Sequence, residues 1–137
     1  MDAIYTAHAS ATGGRDGHAR TDDGKVDVAL SVPKEMGGQG NGTNPEQLFA
    51  AGWSACFEGA MAIAARARGI TLPGDLAIDA EVALRHGEDG YSLAARLNVS
   101  VPGGGPDVAR GLIEAAHRTC PSSKAIKGNI DALVALV

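Results

Sequence analysis

The clearest pattern along the chain is a two-residue alternation near its middle. Tyr91, Leu93, Ala95, Leu97, Val99 and Val101 interleave with Ser92, Arg96, Asn98 and Ser100. Successive side chains of a strand point to opposite faces, so this run predicts a strand with one buried face. Just upstream, Ile78, Ala80, Val82 and Leu84 alternate with Asp79 and Glu81, and His86-Gly87-Glu88-Asp89-Gly90 supplies a connecting turn. The two runs together predict a hairpin. A third alternation, Val26, Val28, Leu30 and Val32, follows the turn signal Asp22-Asp23-Gly24-Lys25 and stops at Pro33. Residues 4–11 predict an N-terminal strand and residues 130–137 a terminal buried strand.

Two segments change to a helical period. Asn44 suits an N-cap, Pro45 the first helical position, and Glu46 a place where the macrodipole favours an anion. The apolar pattern then runs to about Ala67, with Gly69 as a stop and Pro73 just beyond. Gly52 and Gly59 lie inside this helix, where each costs about 1 kcal/mol against Ala, so something should need their small size. A second helix is predicted from Asp107 as cap, with Val108, Leu112, Ala115 and Ala116 on one stripe, ending where Cys120 meets Pro121. The connections include the turn Thr12-Gly13-Gly14-Arg15-Asp16-Gly17 and a flexible covering loop over residues 34–43 with four glycines. That loop lacks the Gly-Lys-Ser/Thr ending of a phosphate-binding loop.

These elements predict an α+β fold with mostly antiparallel pairing, in one domain spanning 1–137. A long helix that is apolar on several sides must be covered over most of its surface, and one small sheet covers one side only. The pattern therefore favours a dimer in which two such helices pack together.

Composition narrows the function. The chain of 137 residues is 45% hydrophobic and 20% charged, which predicts a packed core rather than disorder. With 12 Lys+Arg against 16 Asp+Glu and no basic run, nucleic acid is not expected as a partner. The N-terminus has no cationic and apolar signal pattern. The Leu48–Ala65 stretch is rich in Ala, Gly and Ser and contains Glu58, so a core helix is expected there rather than a membrane span. The 2 cysteines, Cys56 and Cys120, then suggest a cytoplasmic redox pair or isolated core thiols.

Cys56 read alone is a small buried hydrophobe, and Arg15 read alone is a solvated charge. Both cysteines nevertheless adjoin polar or helix-breaking residues. Arg15 on its glycine turn and Glu46 at the helix start could form a charge-assisted pair. A guanidinium near a thiol favours the thiolate, which is the reactive form. Glu46 and Cys56 are ten residues apart, which on a straight helix is about 15 Å of rise and roughly 80° of rotation. Glu46 is therefore not expected to serve the Cys56 of its own helix. Two antiparallel helices crossing at Ala50, Ala51 and Gly52 would place Glu46 of one chain beside Cys56 of another.

Several segments stand in an order that resembles a known family over essentially the whole chain. They are Ala11-Thr12-Gly13-Gly14-Arg15, Pro33-Lys34-Glu35-Met36-Gly37-Gly38, Asn44-Pro45-Glu46-Gln47-Leu48-Phe49, Ser54-Ala55-Cys56-Phe57, Ala116-His117, Cys120-Pro121 and Lys127-Gly128-Asn129-Ile130-Asp131. The chain resembles the organic hydroperoxide resistance proteins, within the wider OsmC group. The resemblance implies antiparallel sheets wrapped around long central helices in an intertwined homodimer. It also implies a thiol peroxidase of organic hydroperoxides that needs no flavin, haem or metal. Cys56 would be the peroxidatic thiol and Cys120 the resolving thiol, with Arg15 stabilising the thiolate and Glu46 positioning Arg15. A dithiol such as a dihydrolipoyl group would be the reductant. Phe49, Trp53, Phe57, Met61 and Ile126 are candidates for an apolar substrate pocket.

The chain departs from the family pattern after Cys120. Ser122 replaces a usual Tyr, Lys124 replaces a usual Asn, and Trp53 stands where Tyr is common. Three rival readings accompany the first: an OsmC-type peroxidase of different substrate preference, a non-enzymatic thiol sensor, and a metal module built on Cys56, His117 and Cys120. In the first two, His117 is a helix-end residue facing carbonyls.

Overall fold

A computed structural model describes all 137 residues, Met1–Val137. The chain forms two compact units, Met1–Leu48 and Phe49–Val137.

In the first unit, β1 (Ala9–Thr12), β2 (His18–Thr21) and β3 (Asp27–Ala29) form an antiparallel sheet in that order. The N-terminal strand is later and shorter than the 4–11 expected, and Ile4 and Tyr5 are exposed. β2 has no counterpart in the hydrophobic pattern, because His-Ala-Arg-Thr carries no apolar alternation to announce it. β3 covers only three residues of the predicted 26–32 run. Beyond it the backbone turns to other partners: Ser31 N–H donates to the Thr43 carbonyl and Thr43 N–H to the Ala29 carbonyl, each at 2.9 Å.

The 34–43 segment is more tightly held than a flexible covering loop. It opens with a short 3-10 turn, Lys34–Met36. A Cβ on Gly38 would lie 2.1 Å from the Val32 carbonyl oxygen. Close backbone packing of that kind excludes any side chain, and this accounts for a glycine there better than mobility does.

The long helix α1 spans Pro45–Ala67, as the pattern predicts. Its start is capped by Asn44, whose Oδ1 accepts from Gln47 N–H at 2.9 Å. Its end unwinds at Gly69, with Ile70 N–H donating back to the Ala65 carbonyl at 2.9 Å.

In the second unit, β4 (Ala77–Gly87) and β5 (Gly90–Ser100) make the predicted hairpin, and β6 (Asp131–Leu136) pairs with β5. The β5–β6 pairing is parallel, and β6 runs from exposed to half-buried rather than buried. The connection explains the direction: α2 (Pro106–Thr119) and α3 (Pro121–Ile126) lie between the two strands and allow the crossover a parallel pair needs. α2 is capped by Gly105, with Pro106 in the first turn, so Asp107 lies inside the helix. α3 was not predicted, because Cys120-Pro121 reads as a stop. Proline is also suited to a first helical position, and here it starts a new helix.

The core of this unit gathers Trp53, Phe57, Met61 and Ala65 from α1, Leu97 and Val99 from β5, Leu112 and Ala116 from α2, and Ile126 from α3. α1 is long and apolar enough, by length and composition, to cross a membrane. In this unit its Trp53, Phe57, Ala60, Met61 and Ala65 are buried, as in a core helix. The opposite side, with Ala51, Gly52, Ala55, Gly59 and Ile63, is exposed. No atom of this unit lies within 4 Å of a Cβ built on Gly52 or Gly59, so nothing within the unit requires their size.

Candidate active site

Cys120 is both the last residue of α2's cap and the first of α3's. Its backbone, at φ −60° and ψ 119°, leaves one helix and turns into the next. That turn fixes its thiol: Cys120 Sγ accepts from Ser123 N–H at 3.5 Å and lies 3.2 Å from Cys56 Sγ. Cys56 projects from α1, one turn after Trp53. The indole Nε1–H of Trp53 donates to Ser123 Oγ at 2.9 Å, a buried hydrogen bond between α1 and α3. Two contacts, Trp53–Ser123 and Cys56–Cys120, thus pin the first turn of α3 to one face of α1.

The two thiols have different surroundings. Cys120 is fully buried, whereas Cys56 is partly exposed. Burial pushes the Cys56 thiol up, but donation from the Ser122 hydroxyl, the Ser122 N–H and the Cys120 thiol brings it below its usual value overall. Cys120 moves the other way. Burial raises it, and proximity to Cys56 adds to that against the opposing Ser123 N–H. Cys56 is therefore the more acidic thiol of the pair, and Cys120 donates to it.

Arg15 and Glu46 meet in the first unit. Arg15 sits in a 3-10 turn, Gly14–Asp16, between β1 and β2. Gly13 and Gly14 take φ of 74° and 59°, and a Cβ on Gly17 would lie 1.7 Å from the Thr12 carbonyl oxygen. Asp16 Oδ1 accepts from Val32 N–H at 3.0 Å and holds the turn against the following segment. Arg15 Nη1 and Nη2 donate to Glu46 Oε2 and Oε1 at 2.9 and 2.8 Å. This is the bidentate geometry that fixes a guanidinium in one plane. Bonding to Arg15 holds the Glu46 carboxyl below its usual value despite partial burial.

Trp53, Phe57, Met61 and Ile126 are buried in the core, and Phe49 is partly buried against it. His117 lies in the last turn of α2, but its buried Nδ1 makes no hydrogen bond, so it does not face a carbonyl through that atom. Its ring is 6.5 Å from that of Phe57. No group of three or more His, Cys, Asp or Glu is close enough to hold a metal ion. Ser123, which bonds both Trp53 and Cys120, was not among the candidate site residues.

Residues 38–133 match the OsmC-like protein family. An organic hydroperoxide resistance protein of Xanthomonas axonopodis pv. citri is 46% identical over 134 residues, covering 97% of this chain and 94% of its own. The chain belongs to the organic hydroperoxide resistance branch of the OsmC-like family. A protein of Acinetobacter baylyi without an assigned function is 51% identical over 128 residues, covering 93% of this chain and 90% of its own. The crystal structure of an organic hydroperoxide resistance protein from Legionella pneumophila superposes with a TM-score of 0.93 at 43% identity, covering 98% of each chain. The α+β architecture of two sheets and three helices is thus the OsmC-like fold.

Proposed function

We propose that this member of the organic hydroperoxide resistance proteins is a cysteine-based peroxidase that reduces organic hydroperoxides to alcohols. The observation that carries the reading is the thiol pair: a partly exposed Cys56 with its sulfur 3.2 Å from that of a buried Cys120. The names of the relatives supply the substrate class. The Cys56 thiolate attacks the terminal oxygen of the hydroperoxide. An S–O bond forms, the O–O bond breaks, and the alkoxide leaves and takes a proton to become the alcohol. Cys56 is now a sulfenic acid. The Cys120 sulfur attacks it, an S–S bond forms, and the hydroxyl leaves with the Cys120 proton as water. An external dithiol, such as a dihydrolipoyl group on a protein, returns two electrons and two protons by thiol–disulfide exchange.

In this reading Arg15, planar on Glu46, stabilises the thiolate and orients the peroxide. Phe49, Trp53, Phe57, Met61 and Ile126 form the apolar surroundings that an alkyl chain would meet. We place the Arg15–Glu46 pair at the Cys56 of a second copy, in an intertwined homodimer whose α1 helices cross at Ala50, Ala51 and Gly52. Helix geometry and the exposed small-residue side of α1 support that arrangement. Residues 1–137 are read as one OsmC-like domain. A free thiol pair that must be re-reduced suits the cytoplasm.

Turnover of cumene hydroperoxide with dihydrolipoamide, coupled to a reductase, tests the reading. The parent protein should turn over, Cys56→Ser should not, and Cys120→Ser should stop after one oxidation with Cys56 trapped as sulfenic acid. Oxidation without turnover in the parent under any dithiol would replace the enzyme by a thiol sensor.

A further inference from the structure

The two sulfurs of the thiol pair touch, yet the residues that carry them differ in access to solvent. Cys120 has none of its surface exposed. It lies within the buried cluster that includes Trp53, Phe57, Leu112 and Ala116. Cys56 is only partly buried and packs against that cluster. The sulfurs stand 3.2 Å apart, so a disulfide closes by a small side-chain movement, with α1 and α3 still joined by the Trp53–Ser123 hydrogen bond. Oxidation therefore leaves Cys120 inside the core. Thiol–disulfide exchange begins with a thiolate attacking one sulfur and expelling the other. The attacking thiolate must approach in line with the S–S bond, from the side opposite the sulfur that leaves. At Cys120 that side is filled by protein.

We propose that the external dithiol attacks the disulfide at Cys56 Sγ and expels Cys120, so that the mixed-disulfide intermediate forms on Cys56. The assignment rests on the reading of the pair as one that cycles through a disulfide, and adds which sulfur meets the reductant. In the first step a bond forms between the reductant's sulfur and Cys56 Sγ, and the Cys56–Cys120 bond breaks. Cys120 leaves with the electron pair and takes up a proton. In the second step the reductant's other thiolate attacks its own bound sulfur, an S–S bond closes within the reductant, and Cys56 leaves as thiolate. The dithiol loses two electrons and the protein disulfide gains them. Leaving-group acidity opposes this order, since Cys56 is the more acidic thiol and so the better leaving group. Access outweighs it, because acidity only scales the rate at a sulfur that the nucleophile can reach. Attack at Cys120 first requires the core around it to open. Hydroperoxide and reductant thus meet the same atom in turn.

The test traps the intermediate. The full-length protein, oxidised with one equivalent of diamide, is mixed with mercaptoethanol, whose single thiol cannot close a ring. It is quenched with excess N-ethylmaleimide before reduction is complete and mapped by mass spectrometry. The expected species carries mercaptoethanol on Cys56 and maleimide on Cys120; the reverse arrangement would overturn the proposal. Two single-cysteine variants give a second reading. Dithiodipyridine should react with Cys56 in Cys120→Ser about tenfold or more faster than with Cys120 in Cys56→Ser, because exchange depends on access. Equal rates in the two folded variants would overturn the proposal even where no intermediate is captured. Diamide makes the disulfide without peroxide. A parent that fails to turn over hydroperoxide therefore counts against the peroxidase reading alone, while the adduct map still decides which sulfur the reductant attacks.

Discussion

At the scale of single residues, Cys56 and Cys120 are chemically identical side chains made different by position. The lowered Cys56 keeps its thiolate to lower pH than a free cysteine does, so reactivity should persist below the usual thiol range and fail as pH drops through the lowered value. The raised Cys120 stays protonated over the same range and can deliver its proton in the condensation step. Brief treatment of the reduced protein with iodoacetamide at neutral pH should label Cys56 while Cys120 labels only after unfolding; equal labelling of the two would contradict the asymmetry.

Glu46 gives a second residue-scale prediction. Its folded-state value is depressed, so its contribution to stability is present above the ordinary carboxylate range and is lost as pH falls through the lowered value. The Arg15 side chain is 38% exposed, so solvent screens the pair, and Glu46→Gln should cost only about 0.5–1 kcal/mol in denaturant unfolding. Its effect on peroxide turnover should be larger than on folding, because it removes the two parallel bonds that align the guanidinium. A variant with full turnover and lost stability would make the pair purely structural.

At the scale of elements, the six-residue α3 holds the thiol of Cys120, its N-cap, through Ser123 N–H. Its anchor is the Trp53–Ser123 hydrogen bond, with Trp53 and Ser123 almost wholly inaccessible to solvent. Trp53→Phe keeps an aromatic ring but leaves Ser123 Oγ buried without its donor. Equilibrium unfolding should show a loss of about 1–3 kcal/mol, and Cys56–Cys120 disulfide formation should slow as the first turn of α3 loosens.

The turn that holds Arg15 makes the comparable prediction in the first unit. A Cβ at residue 17 would collide with the Thr12 carbonyl, so Gly17→Ala should distort the β1–β2 turn and lower the melting temperature, with turnover falling further through misplaced Arg15. Sequence pattern found the two glycines before Arg15 but not β2 or α3. β2 is a strand of mostly polar residues paired with neighbours on both sides, and α3 begins at a proline that pattern alone reads as an end. Pairing direction was also hidden: β6 looks the same in sequence whether it joins β5 parallel or antiparallel.

At the scale of the whole molecule, the exposed side of α1 is the feature that one chain leaves unexplained. Gly52 and Gly59 weaken a helix without a neighbour in its own unit to benefit from them. In the proposed homodimer that side is the crossing, so the protein should sediment as a dimer. Gly52→Leu should then shift it towards monomer and reduce turnover, by separating the Arg15–Glu46 pair from the Cys56 it serves. A monomeric parent with undiminished turnover would remove the shared-site arrangement.

The sequence by itself determined the long helix, its cap and its stop, the β4–β5 hairpin, the two cysteines and the family motifs around them. Each of these is a local matter of side-chain period, backbone permissiveness or residue identity within a short segment. Tertiary structure alone decided that Cys56 and Cys120 touch, that Arg15 and Glu46 form two parallel hydrogen bonds, and that Trp53 and Ser123 are joined by a buried hydrogen bond. Those facts depend on segments distant in the chain being brought together by packing. Hydrogen bonding and mutual proximity then give two chemically equal thiols unequal acidity, which no local pattern encodes.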